Sequence, residues 1–293
     1  MARSSHPPTL LTLATRALES EIELPNGTRI LVATSGGPDS MALLDVLANL
    51  RDDLGFSLVA HGVDHGLRAE ASAELDVAEG HAKRLGVVFG RTRVRVEPGG
   101  NVQARARDAR HAALAAAKKK ARAKLIATAH HAEDRAETVL MRILRGSGAS
   151  GLAVLPAIDG DRVRPFIRAT RRDVMLHLER HAVPFMQDPS NDDARYLRTR
   201  VRREALPLLA ALDPNVVSHL CALADDLAAF RENGEAVYRI PRASRIALAA
   251  LARGGSRSAE VRLPGGLVVH NETTIAAKPR NATRRESRGK KKR

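Results

Sequence analysis

A short glycine-rich turn is the first part of the chain whose residues could do chemistry. The stretch SGGPDS (35–40) lies at the end of the apolar run TRILVATS (28–35) and begins an apolar helical pattern. Main-chain N–H groups at the start of a helix, with the helix dipole behind them, can bind phosphate oxygens. We therefore predict a phosphate-binding turn, whose residues are Ser35, Gly36, Gly37, Pro38, Asp39 and Ser40.

Asp39 places a carboxylate where an anion is expected to bind. The turn lacks the lysine of the Walker pattern G-x-x-x-x-G-K-[ST], and its glycines do not fit G-x-G-x-x-G. A carboxylate next to phosphate is stable when Mg²⁺ bridges the two, because Mg²⁺ prefers oxygen ligands. We predict that Asp39 binds Mg²⁺. The alternative is that Asp39 only complements the positive end of the helix dipole.

Histidines and acids follow further apolar runs. His61 belongs to SLVAHGVD (57–64), and His130 comes directly before the acids of HAEDRAET, among them Asp134. Histidine and carboxylate side chains are the groups that most often transfer protons in active sites. A zinc site at His61 and His65 is less favoured, because that spacing serves metal binding best on a helix.

Two groups of arginines could supply the positive charge that the turn lacks. Arg107 and Arg110 are three residues apart on a predicted helix, so they share a face. A denser group follows the turn signal DPSN beside Tyr196, whose ring can stack on a base, and this predicts RNA binding. The alternative for both groups is a solvated basic face. The arginines that we assign to RNA are Arg195, Arg198, Arg202 and Arg203.

The elements that must position these residues alternate between strand and helix. From residue 28 to residue 144 the spacing is that of βαβ units. It predicts the α/β class, with a doubly wound, mainly parallel sheet. In such sheets ligands bind at the carboxyl ends of the strands, where the turn and the histidines fall. Beyond residue 151 helices dominate, and residues 259–277 alternate around a Pro-Gly-Gly turn, which predicts a hairpin.

This organisation predicts four segments. An α/β catalytic domain covers residues 1–212, and a connecting helix covers 213–235. A short C-terminal segment with the hairpin covers 236–278, and a disordered basic tail covers 279–293.

Composition limits the partners and the compartment. The formal net charge is +15, and residues 278–293 contribute nine basic side chains to it, so we expect a polyanion such as nucleic acid as partner. The single cysteine, Cys221, excludes an intrachain disulfide framework and suits a reducing compartment. The chain has no stretch of 18 apolar residues. We therefore expect a cytoplasmic protein with no membrane partner.

Several blocks of the sequence, in this order, resemble one known family. They are SGGPDS, VDHGLR, ARDARHAAL, TAHHAEDRAETVLMRILRGSGASGL, RPFIRATRRDV and DPSNDDARYLRTRVRREALPLL. Together they are similar to the bacterial tRNA(Ile)-lysidine synthetases of the N-type ATP pyrophosphatase (PP-loop) superfamily. The resemblance covers residues 10–232, and the blocks around residues 130 and 190 are far more specific than the turn alone.

The resemblance implies a ligase that uses ATP and Mg²⁺ to join free lysine to the wobble cytidine of a tRNA(Ile) with a CAU anticodon. The turn and His61 would then bind ATP, and Asp39 would bind Mg²⁺. Arg107 and Arg110 would balance phosphate charge. The base for the lysine amine is either His130 or Asp134, and the sequence leaves both open.

Two other functions remain as alternatives. One is a related tRNA cytidine thiolase, which would typically need cysteine pairs that the chain lacks. The other is a non-catalytic homologue that binds nucleotide and RNA. The sequence does not fix the oligomeric state, and a homodimer is one assembly that we consider.

The chain departs from the family pattern at a few positions. Glu133 and Arg135 stand where the family often has aspartate and glutamine, which leaves the local charge open. The stretch after residue 235 is shorter than the usual C-terminal RNA-binding region, so we expect a weaker hold on tRNA or compensation by the basic tail.

Overall fold

The computed structural model describes most of the chain. The described residues are 8–64, 66, 70–95, 102–187, 196–233, 260–262, 268–270 and 275–276. By its packing the chain divides into two units, Met1–Asp225 and Asp226–Arg293. The domain bounds given above stay predictions, and the basic tail lies outside the described residues.

A six-stranded sheet forms the centre of the first unit. In spatial order its strands are β3 (Val88–Arg93), β2 (Ser57–Asp64), β1 (Arg29–Ala33), β4 (Leu125–Ala127), β6 (Arg162–Val163) and β5 (Ile158–Asp159). Every neighbouring pair is parallel except β5 with β6. The predicted doubly wound, mainly parallel sheet is confirmed. The β5–β6 hairpin was not predicted, because two-residue strands carry no readable hydrophobic period.

Helices connect and cover these strands. They are α1 (Leu10–Ser20), α2 (Pro38–Leu50), α3 (Glu70–Arg84), α4 (Val102–Lys120), α5 (Ala132–Leu144), α6 (Ala149–Leu152), α7 (Arg171–Arg180), α8 (Leu197–Arg200), α9 (Leu206–Leu212) and α10 (Val216–Asn233). A π-helical turn, Val201–Ala205, joins α8 to α9. Taken singly, none of the helices among the described residues is long and apolar enough to cross a membrane. The pair Leu197–Leu212 and Val216–Phe230 meets that test only when its two bent parts are taken together.

The two faces of the sheet are buried by different helices, as a doubly wound sheet requires. Ile30 and Val32 of β1 are fully buried in a core shared with α1, α2 and α7, which we call the α2 face. Leu31, between them, packs with Leu114 of α4 and Ile126 of β4 on the opposite side, which we call the α4 face. Successive strand residues point to opposite faces, so the three consecutive residues from Ile30 to Val32 are all apolar.

The second unit contains a small antiparallel sheet. Its strands, in spatial order, are β7 (Glu260–Arg262), β8 (Val268–His270) and β9 (Ile275–Ala276). The hairpin predicted around the Pro-Gly-Gly turn is confirmed by the pairing of β7 with β8. The third strand extends it.

Candidate active site

The glycine-rich turn joins the carboxyl end of β1 to the N-terminus of α2. Gly36 has φ +84°, and a Cβ atom there would lie 2.3 Å from the main-chain oxygen of Glu74. Glycine is therefore needed both for the backbone conformation and for the close approach. Gly37 is the N-cap of α2, and Pro38 occupies its first turn, where the missing N–H has no intrahelical partner to lose.

Ser40 holds the turn in shape from within. Its hydroxyl accepts the N–H of Ser35 at 3.1 Å and donates to the carbonyl of Gly37 at 3.0 Å. Ser40 is buried, whereas Ser35 lies at the surface with its hydroxyl 3.2 Å from that of Ser40. The phosphate-binding role of these residues stays a prediction, and the structure adds a local role for Ser40.

Asp39 faces inward at the start of α2. Its side chain is 34% exposed, yet Oδ1 itself is buried and has no hydrogen-bond partner among the described residues. Burial raises the pKa of this carboxyl, and this outweighs the opposing charge of His131. A carboxylate that only complemented a helix dipole would face solvent, so the geometry leaves Oδ1 available for a ligand.

His131 is a candidate site residue that sequence reasoning missed. Its Nε2 lies 4.0 Å from Asp39 Oδ1 and 3.5 Å from Asp134 Oδ2, and its Nδ1 lies 3.0 Å from Glu133 Oε2. Burial lowers the pKa of His131, but the bond to Glu133 and the charges of Asp134 and Asp39 outweigh it, so the pKa is raised. The paired histidines were the available signal, and only His130 was chosen.

His130 points away from this cluster. Its Nδ1 lies 3.0 Å from the hydroxyl of Thr128, and its ring lines a pocket on the α4 face that it shares with Arg107. Burial is the main cause that lowers the pKa of His130 to about 4, with Arg164 adding to the effect and Asp134 opposing it. His130 is therefore neutral at pH 7 and can accept a proton.

Asp134 and Glu137 hold two of the arginines that we assigned to RNA. Arg198 donates to Glu137 at 2.8 Å and to Asp134 at 2.9 Å. Arg202 donates to Glu137 at 2.6 Å. The Glu137 side chain is 1% exposed, so these guanidinium groups neutralise a buried acid while they tether the helix after Tyr196 to α5.

The remaining assigned residues lie around this centre or outside the described residues. His61 lies within β2, opposite Ala33 at the end of β1, and its Nε2 lies 2.9 Å from the hydroxyl of Thr92. Arg110 is close enough to His130 for its charge to lower the pKa of that histidine. Arg203 is exposed, and Arg195 lies outside the described residues.

Glu133 and Arg135, the two residues that depart from the family pattern, have separate structural roles. Glu133 accepts the N–H of Arg171 at the start of α7, at 3.0 Å from Oε2, so it joins α5 to α7. Arg135 is buried, donates to the carbonyl of Val154 at 2.9 Å and pairs with Asp225 at 2.7 Å. The Arg135 charge is therefore neutralised inside the fold and does not enter the site.

The donor set fits Mg²⁺ only if phosphates complete it. Among the described residues no group of three or more His, Cys, Asp or Glu side chains could hold a metal ion. Magnesium at nucleotide sites commonly takes one or two carboxylates together with phosphate oxygens and water. Asp39 Oδ1, buried and without a hydrogen-bond partner among the described residues, is available for such a role at the start of α2.

The sheet order and the turn define the class of protein. A family model for the PP-loop domain matches residues 11–209, more than half of the chain. A U34-tRNA thiolase from Methanococcus maripaludis, solved with its [4Fe-4S] cluster, has the same fold. It superposes with a TM-score of 0.63 over 73% of this chain and 78% of that one, at 16% identity.

Sequence relatives narrow the class. A tRNA(Ile)-lysidine synthase from Ralstonia nicotianae is 38% identical over 78% of this chain and 49% of its own length. One from Thermobifida fusca is 36% identical over 80% of this chain and 72% of its own length. The chain therefore belongs to the PP-loop family and, within it, to the tRNA(Ile)-lysidine synthases. It spans about half the length of several curated relatives that it matches, 44% for that from Geobacter sulfurreducens.

Proposed function

We propose that this chain attaches lysine to the wobble cytidine of a tRNA(Ile) with a CAU anticodon, using ATP. The ring carbonyl oxygen of the cytidine attacks the α-phosphorus of ATP, and pyrophosphate leaves. The side-chain amine of lysine then attacks the activated ring carbon, and AMP leaves with the carbonyl oxygen. Family membership supports this reaction, and the observation that carries it is the partnerless Oδ1 of Asp39 at the phosphate-binding turn.

Adenylation is needed because a ring carbonyl oxygen is a poor leaving group. The N–H groups at the start of α2 would orient the triphosphate, and Asp39 would hold Mg²⁺ against it. When bound there, Mg²⁺ would supply positive charge that stabilises the departing pyrophosphate. Arg107 and Arg110 would add fixed positive charge from α4, because the turn itself has no lysine.

The lysine amine must lose a proton before it can attack. With a reference pKa near 10.4, exposing the neutral amine at pH 7 costs about 4–5 kcal/mol. Two neighbours remain candidates for the base. His130 is neutral at pH 7, because burial lowers its pKa to about 4. Asp134 stays ionised, because the charges of His131 and Arg198 outweigh burial and lower its pKa.

The cytidine thiolase is the weaker alternative. The single cysteine, Cys221, is buried, and its Sγ lies 3.3 Å from the carbonyl oxygen of Ala132. Burial raises the pKa of this thiol to about 11, so it is neither a thiolate nucleophile nor a cluster ligand at neutral pH. We propose a cytoplasmic enzyme that acts on tRNA and free lysine, and we retain the homodimer as a prediction for light scattering.

Product analysis tests the proposal. Purified protein is incubated with ATP, Mg²⁺, lysine and a CAU-anticodon tRNA, and the expected products are AMP, pyrophosphate and lysine-modified tRNA in equal amounts. Omission of lysine should leave pyrophosphate release but stop modification. Release of ADP and phosphate would contradict the adenylation step. Nucleotide and RNA binding without turnover would support the non-catalytic alternative instead.

A further inference from the structure

A basic pocket lies on the α4 face beside the residues described above. It is formed where α4 crosses the carboxyl ends of β4 and β6, and it is small and partly open to solvent. Its basic lining residues are Arg107, His111, His130, Arg162 and Arg164. Apart from Arg107 and His130, none of these has a role in the reaction proposed above.

Two of the three arginines of the pocket have no ion pair within the described part of the chain. Among those residues, neither Arg107 nor Arg162 has a carboxylate within ion-pair distance. Arg164 is 5% exposed and donates through Nη1 to the carbonyl of Pro156 at 2.7 Å. Its Nε is buried with no acceptor, and the carboxylate of Asp159 is 3.7 Å from Nη2. A buried guanidinium N–H without an acceptor needs one, and an anion in the pocket would supply it.

The histidines of the pocket add no charge of their own. Burial lowers the pKa of His111, and the neighbouring charges of Arg162 and Arg107 lower it further, while Asp108 opposes them. Burial likewise lowers the pKa of His130. Both rings are therefore neutral at pH 7 and can donate or accept a hydrogen bond, and the arginines alone set the positive potential.

We propose that this pocket binds one phosphate group of the RNA backbone. Guanidinium groups match phosphate oxygens with paired, charge-assisted hydrogen bonds, and three of them converge here. The triphosphate of ATP already has a binding turn at the end of β1, so a separate phosphate is the better occupant. The assignment rests on RNA being the substrate, as proposed above, and it adds a contact that would hold the anticodon strand beside His130.

The test removes one guanidinium that has no ion pair among the described residues. In Arg162→Gln, the affinity for CAU-anticodon tRNA without nucleotide should fall about tenfold, the loss expected for one charge-assisted hydrogen bond. The slope of log K against log salt should become less steep by about 0.7, the value for one phosphate on a single strand. Arg180→Gln, which changes an exposed arginine on α7, is the matched control.

Nucleotide binding separates the two sources of phosphate. The affinity of Arg162→Gln for ATP should equal that of the unchanged protein. A loss of ATP affinity with unchanged RNA affinity would assign the pocket to the nucleotide and overturn the proposal. The proposal would also be overturned if Arg162→Gln changed neither the RNA affinity nor the salt slope. Because RNA binding is measured without catalysis, the result does not depend on whether lysine is ligated.

Discussion

Asp39 Oδ1 and His131 Nε2 lie 4.0 Å apart, and within the described part of the chain neither buried atom has a hydrogen-bond partner. Buried polar atoms in native proteins are nearly always satisfied. Asp39 lies in the first turn of α2, and His131 is the N-cap of α5. These helices follow the neighbouring strands β1 and β4, so the pair lies at the carboxyl ends of the strands, where parallel sheets bind their ligands. We infer that substrate and metal complete this arrangement.

Asp39→Asn should abolish pyrophosphate release while the fold is retained. The amide keeps the shape of the side chain and its place at the helix start, but it removes the negative charge that would bind Mg²⁺. The melting temperature should stay within about 2 °C, because Oδ1 has no partner in the fold to lose. Asp52→Asn, whose side chain is 91% exposed, is the control. Full activity in Asp39→Asn would show that Asp39 only complements the helix dipole.

His131→Asn should lower the rate of pyrophosphate release about 10- to 100-fold, the effect typical of a residue that orients a metal ligand. Asparagine is a good N-cap, so α5 should keep its start. The rate is measured together with the Mg²⁺ concentration at half-maximal activity, which should rise. His219→Asn, with a side chain 65% exposed, should leave both values unchanged. If only the melting temperature changed, His131 would be structural.

Arg202→Gln should lower the free energy of unfolding by about 1–3 kcal/mol, because Glu137 is buried and loses part of its compensation. Urea unfolding measures the change. Arg200→Gln is the matched control, since Arg200 is 60% exposed and its pairing with Glu204 should contribute less than about 1 kcal/mol. Normal stability with weaker tRNA binding in Arg202→Gln would support the direct RNA contact predicted from the sequence.

Asp225→Asn should destabilise the protein more than Arg135→Gln does. Without Asp225, the charge of Arg135 is buried with only the carbonyl of Val154 beside it, which should cost about 3–5 kcal/mol. Without Arg135, Asp225 keeps its ion pair with Arg168 at 2.6 Å. The double variant should show a coupling of about 1 kcal/mol or more in urea unfolding. Strictly additive losses would contradict the ion pair.

Asp45 should stabilise the protein in a pH-dependent way. Burial raises the pKa of Asp45, but hydrogen bonds from His177 at 2.8 Å and His81 at 3.2 Å outweigh it, and the pKa lies well below its usual value. Its contribution is thus complete above the unfolded-state pKa and is lost as pH falls through the folded-state pKa. Asp45→Asn should cost about 3 kcal/mol at pH 7.

The difference in the free energy of unfolding between Asp45→Asn and the unchanged protein should shrink as the pH falls below about 4, the reference pKa of aspartate. Urea unfolding at a series of pH values measures it. A difference that stayed constant down to pH 2 would show that the charge of Asp45 contributes nothing to stability.

The sequence alone determined the features that depend on neighbouring residues. Strand and helix periods, with glycine and proline at the turn, placed the phosphate-binding segment between β1 and α2. The family blocks added the class of enzyme. These signals are local, because the hydrophobic period and the backbone demands of Gly36 act within a few residues.

Only the tertiary structure decided which histidine faces which helix. The backbone at His131 is extended, with φ −116° and ψ −177°, and successive side chains in extended chain point to opposite sides. His131 therefore meets Asp39, while His130 lines the pocket on the α4 face. The sequence likewise carries no signal for the ion pair between Arg135 and Asp225. Such contacts join residues far apart in the chain, and their geometry exists only once the packing of the helices against the sheet has fixed it.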